Sequence, residues 1–261
     1  MRIAILYIRT GKYNQFFPGL YSSAKKYLLK GQAELEFFVW SDDNHLSEGY
    51  DDVHLIYKEC EGFPADSLFR FRMFLSLKDK LQKYDYIYFL NANAKFCAPV
   101  GVEILPDETG LVAALWPCNH GVLDHSFFYP YERNKKSLAY VPPFDGPYKY
   151  YMGGINGGRS ADYLAMIEEL YANIEQDYRN GIVAVVHDES HLNHYLHKHK
   201  CKILPKQLAW PEEWKSSFTP KLIFRDKKVL DGYFVKGRDR SLCGKVKYLL
   251  GRIKWAISWY M

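Results

Sequence analysis

Short apolar runs, separated by polar turns and helical stretches, constrain this chain more than any other feature. Ile3–Ile8, Glu34–Trp40, His54–Tyr57, Tyr86–Leu90 and Val112–Trp116 each read as a buried strand, and the second ends in the turn formers Ser41-Asp42-Asp43-Asn44. Between them lie helical stretches, one ending near Leu29 and one over Asp66–Tyr84. In the latter, Leu68, Phe71, Leu75 and Leu81 recur near helical spacing. This order of elements predicts an α/β fold with a largely parallel sheet. Such folds bind ligands at the carboxyl ends of their strands. Asn91-Ala92-Asn93 follows Tyr86–Leu90 directly and is expected at such an end.

The chain of 261 residues has no internal repeat or low-complexity linker, so residues 1–240 are expected to form one domain and 241–261 a tail. Aromatic content is 17%, with 22 Tyr, which suits either an aromatic core or a cleft that stacks on rings. A net charge of +5, with many cations after Lys215, suggests an anionic partner. No RNA-binding signature is present, so nucleic acid is not expected. The scattered cysteines Cys60, Cys97, Cys118, Cys201 and Cys243 contain no CxxC and point to a reducing, cytoplasmic setting. The first residues read as a strand rather than as a signal peptide or membrane span.

Several stretches can carry chemistry. Asn91 and Asn93 share one face of an extended chain and can hydrogen-bond a phosphate or sugar, but they are poor ligands for Mg²⁺ or Mn²⁺. The plainer reading is a turn. His187-Asp188-Glu189-Ser190-His191 is close to the HExxH zinc signature, with Asp188 where that signature needs Glu. A zinc hydrolase built on His187 and His191 is one reading; a His-rich helix face continuing through His194 and His197 is the other. Asp188 and Glu189 also suit a helix N-terminus. The run 151–158 is Gly-dense and matches neither a dinucleotide nor a P-loop motif; by itself it reads as a flexible loop. In the tail, Val246, Leu249, Ile253, Ile257 and Tyr260 recur at helical spacing among Lys245, Lys247, Arg252 and Lys254. That pattern fits peripheral contact with an inner membrane surface through residues 245–261, or a helix packed on protein.

Taken together, FLNANAKFCAPVGVEIL (89–105), YERNKKSLAYVP (131–142), YYMGGINGG (150–158) and HDESHLNHYLHKHK (187–200) resemble, in order, the motifs of the family 6 retaining glycosyltransferases. That family includes the ABO blood-group enzymes and α-1,3-galactosyltransferase. The resemblance runs from about Arg2 to Arg240. Asn-Ala-Asn replaces the family's Asp-x-Asp, no membrane anchor is evident, and Val186 stands where vertebrate members have Trp. The first two departures are similar to those of bacterial, metal-independent members.

The resemblance implies a GT-A fold: one Rossmann-like mixed sheet flanked by helices, here with a basic amphipathic tail. It implies transfer of GalNAc or Gal from UDP-GalNAc or UDP-Gal to the 3-OH of a galactoside, with retention. A fucosylated acceptor such as 2′-fucosyllactose follows by the same analogy, as does the absence of a metal cofactor. Glu189 becomes the catalytic carboxylate, also near the acceptor, and Asp188 a ligand of the donor sugar. Tyr7, Ile8 and Tyr13 fall where the family holds uridine, Arg72 on a donor-binding Arg, and Asn91 and Asn93 beside the diphosphate. Met152, Gly153 and Gly154 fall on the Gal/GalNAc triplet, where Gly154 is expected to leave room for an N-acetyl group. Lys228 and Arg240 match the diphosphate-closing tail, with Lys227, Lys236 and Arg238 as alternatives. Trp116 and Trp210 are expected acceptor walls.

Overall fold

The computed structural model describes residues 1–45, 49–117, 125–229 and 241–260. Its strands are β1 (Arg2–Arg9), β2 (Glu34–Ser41), β3 (Val53–Tyr57), β4 (Tyr86–Leu90), β5 (Ala94–Phe96), β6 (Leu111–Leu115), β7 (Tyr151–Arg159), β8 (Lys202–Ile203), β9 (Trp210–Pro211) and β10 (Leu222–Phe224). Seven of them form one sheet in the order β3-β2-β1-β4-β7-β6-β8, and β5-β10-β9 form a small second sheet. Only β7 runs against its neighbours in the large sheet. The helices are α1 (Phe17–Tyr27), α2 (Ala65–Leu68), α3 (Arg70–Leu75), α4 (Lys78–Leu81), α5 (Ser160–Arg179), α6 (His187–Lys198) and α7 (Leu242–Ile257). The expected α/β fold with a flanked mixed sheet is what the chain adopts. No helix among the described residues is long and apolar enough to cross a membrane.

The inner strands β1, β4 and β6 are mostly apolar because both faces of the sheet are covered there. Side chains alternate across a strand, so Ile3, Ile5 and Tyr7 pack beneath α1, whereas Ala4 and Leu6 join the core under α3, α5 and α6. In β4, Tyr88 and Leu90 go to the first core and Ile87 and Phe89 to the second. Full burial of each such side chain contributes about 2 kcal/mol.

Two expectations change here. The single helix over Asp66–Tyr84 is three short ones, interrupted at Phe69 and Leu77. Leu68, Phe71, Met73, Phe74 and Leu81 are all buried. Residues two apart point to different sides of a straight helix, so Phe71 and Met73 fit no single stripe, and the breaks turn each segment inward. The Gly-dense run 151–158 is not a loop but most of β7, buried between β4 and β6. A Cβ on Gly157 would lie 2.5 Å from the Ile87 carbonyl oxygen, and one on Gly158 would lie 2.3 Å from that of Gly110. These glycines let three backbones close up.

The antiparallel course of β7 brings its first residues to the edge where β1 and β4 end. Leu90 pairs with Ile155, and the Asn91 amide donates to the Gly154 carbonyl at 2.8 Å. α6 is fixed to the same end, because the Asn193 side chain donates to the Tyr151 carbonyl and accepts from its amide, both at 2.8 Å. Gly157→Ala is therefore expected to lower unfolding stability by about 1–3 kcal/mol in urea titration. Gly251→Ala, in α7 with nothing near its Cα, is expected to be neutral or stabilising by up to about 1 kcal/mol.

Candidate active site

The first turn of α6 lies against β7 and α3. His187 has φ 51°, a left-handed conformation rare for residues other than Gly, and Val186 holds the N-cap position without a side-chain cap bond. Asp188 is 2% exposed and pairs with the buried Arg70 guanidinium. Arg70 also donates from Nη1 to the Gly153 carbonyl at 3.0 Å, and its guanidinium lies 4.5 Å from the Phe89 ring centre. Burial pulls Arg70 down to about 10, while the Tyr163 hydroxyl and the Glu189 charge act the other way.

Glu189 is held at both oxygens. The Tyr150 hydroxyl donates to Oε1 at 2.7 Å and the Gly153 amide to Oε2 at 2.5 Å. Burial pushes this carboxyl above the usual range; Tyr150, Gly153 and the Arg70 charge oppose that shift by favouring the anion. A Cβ on Gly153 would lie 2.9 Å from Arg70 Nη2 and 3.0 Å from Glu189 Oε2. The carboxylate and its counterion therefore occupy the space that any larger residue would take. The space expected beside Gly154 is filled, with Met152 Cε at 2.8 Å and the Phe224 ring at 2.9 Å from an added Cβ.

Asn91 and Asn93 follow β4 as expected, but they act on the protein itself. Asn91 donates to Asn93 Oδ1 at 3.1 Å, and Asn93 donates to the Arg225 carbonyl at 2.6 Å. The Arg225 amide returns a bond to the Asn93 carbonyl at 2.8 Å, which locks the turn to β10. An aspartate at 93 would set an anion against a carbonyl oxygen. Neutral amides engaged in this way do not fit a divalent cation, and the described residues contain no cluster of three or more His, Cys, Asp or Glu side chains that could hold one.

Other expected site residues fall in varied places. Tyr13 is half-buried with the Lys227 ammonium 5.3 Å from its ring centre, and burial pulls Lys227 below the ordinary lysine range. Trp116 is 45% exposed, and its ring lies 6.1 Å from that of Tyr150. Ile8 is half-buried beside the second core. Three assignments need correcting. Tyr7 is fully buried, donates to the Ala92 carbonyl and packs on Phe17, so it supports the turn from below and presents no wall to a base. Arg72 is exposed over the Phe69 ring, and Arg70 takes the inward position, because residues two apart on α3 face different ways. Trp210 is 6% exposed, packed on Trp214 and Phe218 in the small sheet. Lys228 is exposed, 3.8 Å from Asp226. Arg240, Lys236 and Arg238 lie outside the described residues.

The helical histidines diverge. His187 meets the Phe63 ring edge-on. His191 is 2% exposed, with Nε2 3.7 Å from Asp177 Oδ2. His194 bonds the Tyr140 carbonyl at 2.7 Å, and His197 stacks on Tyr148. His194 and His197 staple α6 to the segment before β7, and the four side chains do not converge as a zincin site requires. The same segment is anchored by Glu132, which accepts from the Val185 amide at 2.7 Å.

Sequence reasoning missed Arg70, Tyr150 and Arg225. The first two stand inside segments already singled out; the inward phase of α3 and the two neighbouring tyrosines of 150–151 were the available signals.

Two outcomes follow from this geometry. Asn93→Asp is expected to cost about 2–4 kcal/mol in urea unfolding at pH 7, and the half-exposed Asn91→Asp much less. Burial lowers His191 to about 4, with Asp177 opposing. The unfolded chain therefore binds the extra proton first, and stability falls as pH drops from about 6.5 towards 4. His191→Gln is expected to flatten that part of a melting-temperature profile; an unchanged slope would assign it to other groups.

The model of glycosyltransferase family 6 matches residues 1–228. The chain is 33% identical over 232 residues to the O-antigen biosynthesis glycosyltransferase WbnI of Escherichia coli, covering 87% of this chain and 96% of that protein. It is 30% identical to histo-blood group ABO system transferase 1 of Rattus norvegicus, over 77% of this chain and 59% of the relative. Identity to human globoside α-1,3-N-acetylgalactosaminyltransferase 1 is 27%, over 85% and 65%. With the paired Arg70–Asp188 and the doubly held Glu189 at the sheet edge, these matches show that the chain belongs to glycosyltransferase family 6.

Proposed function

We propose that this glycosyltransferase moves GalNAc from UDP-GalNAc, with retention, to the galactose 3-OH of a Fuc-α-1,2-Gal acceptor, and that it needs no divalent metal. The observation that carries the reading is Glu189, a carboxylate held at both oxygens beside the Asn91–Asn93 turn. The relatives named for α-1,3-N-acetylgalactosamine transfer support the donor and linkage. A second reading, UDP-Gal, is favoured by the filled space beside Gly154. The free cysteines Cys60, Cys97, Cys201 and Cys243 support a cytoplasmic setting.

In this reading the bond from the anomeric carbon to the UDP oxygen breaks as positive charge grows on the sugar and negative charge on the diphosphate. Glu189 faces the positive charge. In double displacement it bonds the anomeric carbon, and the acceptor hydroxyl then displaces it; in front-face attack it stabilises the cation without bonding; in both, the acceptor hydroxyl gives its proton to the departed diphosphate. Trapping a glycosyl adduct on Glu189 distinguishes the two routes. Asp188, fixed by Arg70, accepts from donor-sugar hydroxyls. Arg225 and Lys227, at the turn that Asn93 locks, supply positive charge to the diphosphate. Trp116 offers an apolar face to the acceptor.

Transfer from UDP-GalNAc and UDP-Gal to 2′-fucosyllactose and lactose tests this. Product is expected from UDP-GalNAc and 2′-fucosyllactose, and Glu189→Gln is expected to lower kcat by about a thousandfold or more. Undiminished turnover in that variant would remove Glu189 from the chemistry. Tyr150→Phe removes a donor that favours the anion, so kcat is expected to fall about tenfold or more and the acid limb of its pH profile to move to higher pH.

A further inference from the structure

Residues 241–261 lie beyond the span matched by the family and contain four cations, Lys245, Lys247, Arg252 and Lys254, with no acid. α7 is seated on the body by one side. Trp259 is 2% exposed and donates from its indole to the Val141 carbonyl at 2.7 Å. Arg252 donates to the Phe128 carbonyl at 2.8 Å, and the Arg133 guanidinium lies 4.0 Å from the Trp255 ring centre. At 100° per residue these contacts fall on one side of the helix.

The other side is an apolar ridge. Val246, Leu249, Leu250, Ile253 and Ile257 are between 42% and 60% exposed. They fall within an arc of about 100° turned away from the seat, and the exposed Lys247 and Lys254 line one border of it. A continuous large apolar ridge is costly in water and marks a contact surface. The helix is about 24 Å long, at 1.5 Å per residue, and its charge suits lying along a bilayer rather than crossing one.

We propose that this ridge docks the protein on a lipid surface rich in anionic headgroups, with the apolar side chains entering the acyl boundary and Lys247 and Lys254 meeting the headgroups. Charge decides between this occupant and a second copy of the chain. Two such ridges packed together would bring these lysines close, and the tail has no Asp or Glu to pair with them. An anionic bilayer supplies that complement, worth about 1 kcal/mol per basic residue at the surface. The seat places the membrane near the chemistry. The Trp259 ring is 5.6 Å from Tyr131, the Tyr131 ring is 5.5 Å from Tyr150, and Tyr150 bonds Glu189. A glycan presented at the bilayer surface would thus approach the side of the site that Trp116 borders. The docking itself does not rest on the proposed reaction.

The test is co-sedimentation of the full chain with phosphatidylcholine vesicles and with mixed phosphatidylcholine–phosphatidylglycerol vesicles. Wild type is expected to sediment with the mixed vesicles, to bind pure phosphatidylcholine weakly, and to be released by salt. Leu249→Glu/Ile253→Glu and Lys247→Glu/Lys254→Glu are each expected to bind the mixed vesicles at least about tenfold more weakly. Fluorescence of the buried Trp259 checks that α7 stays seated in both, and the charge-reversed pair leaves the apolar ridge whole. Equal sedimentation of wild type and both seated variants would overturn the proposal. So would absence of vesicle binding together with a wild-type dimer, seen by sedimentation equilibrium, that Leu249→Glu/Ile253→Glu abolishes.

Discussion

The buried ion pair between Arg70 and Asp188 joins segments far apart in sequence, and the geometry around Glu189 depends on it. Arg70 begins α3, Asp188 stands in the first turn of α6, and the Gly153 carbonyl that Arg70 also holds lies in β7. Removing either charge would strand the other in a dry site, at a cost of about 3–5 kcal/mol. The pair also explains the glycine at 153. A side chain there would push into Arg70 and Glu189, whereas its absence lets the Gly153 amide bond the carboxylate directly. The position of Glu189 and the bonds to both its oxygens thus follow from one packing arrangement.

The opposite side of the site is organised by amides. Asn93 donates to the Arg225 carbonyl and receives the Arg225 amide, so the turn after β4 and the strand β10 behave as one unit. Arg225, with its guanidinium 4.9 Å from the Phe16 ring centre, and Lys227, over Tyr13, sit on that unit. The asparagines are an adaptation of the backbone as much as of the ligand site. They keep the turn closed where an acidic pair, without a cation, would repel itself and the carbonyl oxygen.

Much of this was legible in sequence. The strands were visible because both faces of the sheet are buried, which makes them apolar without alternation. The segment His187–Ser190 was visible because its polar residues open a helix directly after an apolar run. Less legible was whatever depended on helix phase or tertiary closeness. Arg72 and Arg70 differ only in which way they point, and that is set by the break at Phe69. The glycines of β7 resembled a loop because close approach of β4 and β6 leaves no trace in β7 itself. Tyr7 is placed at the uridine by the resemblance and Trp210 at the acceptor by its indole, and neither signal carries burial, which takes both rings out of a ligand's reach.

The proposed reaction uses no divalent metal, so the site is expected to work on its own side-chain charges. The most direct measurement is the initial rate of sugar transfer by EDTA-treated protein, followed by back-titration with Mn²⁺. The rate is predicted to be unchanged by chelation and flat across the titration. Loss of transfer in EDTA, restored by stoichiometric Mn²⁺, would contradict the account and return the Asn91–Asn93 turn to the role of a metal site.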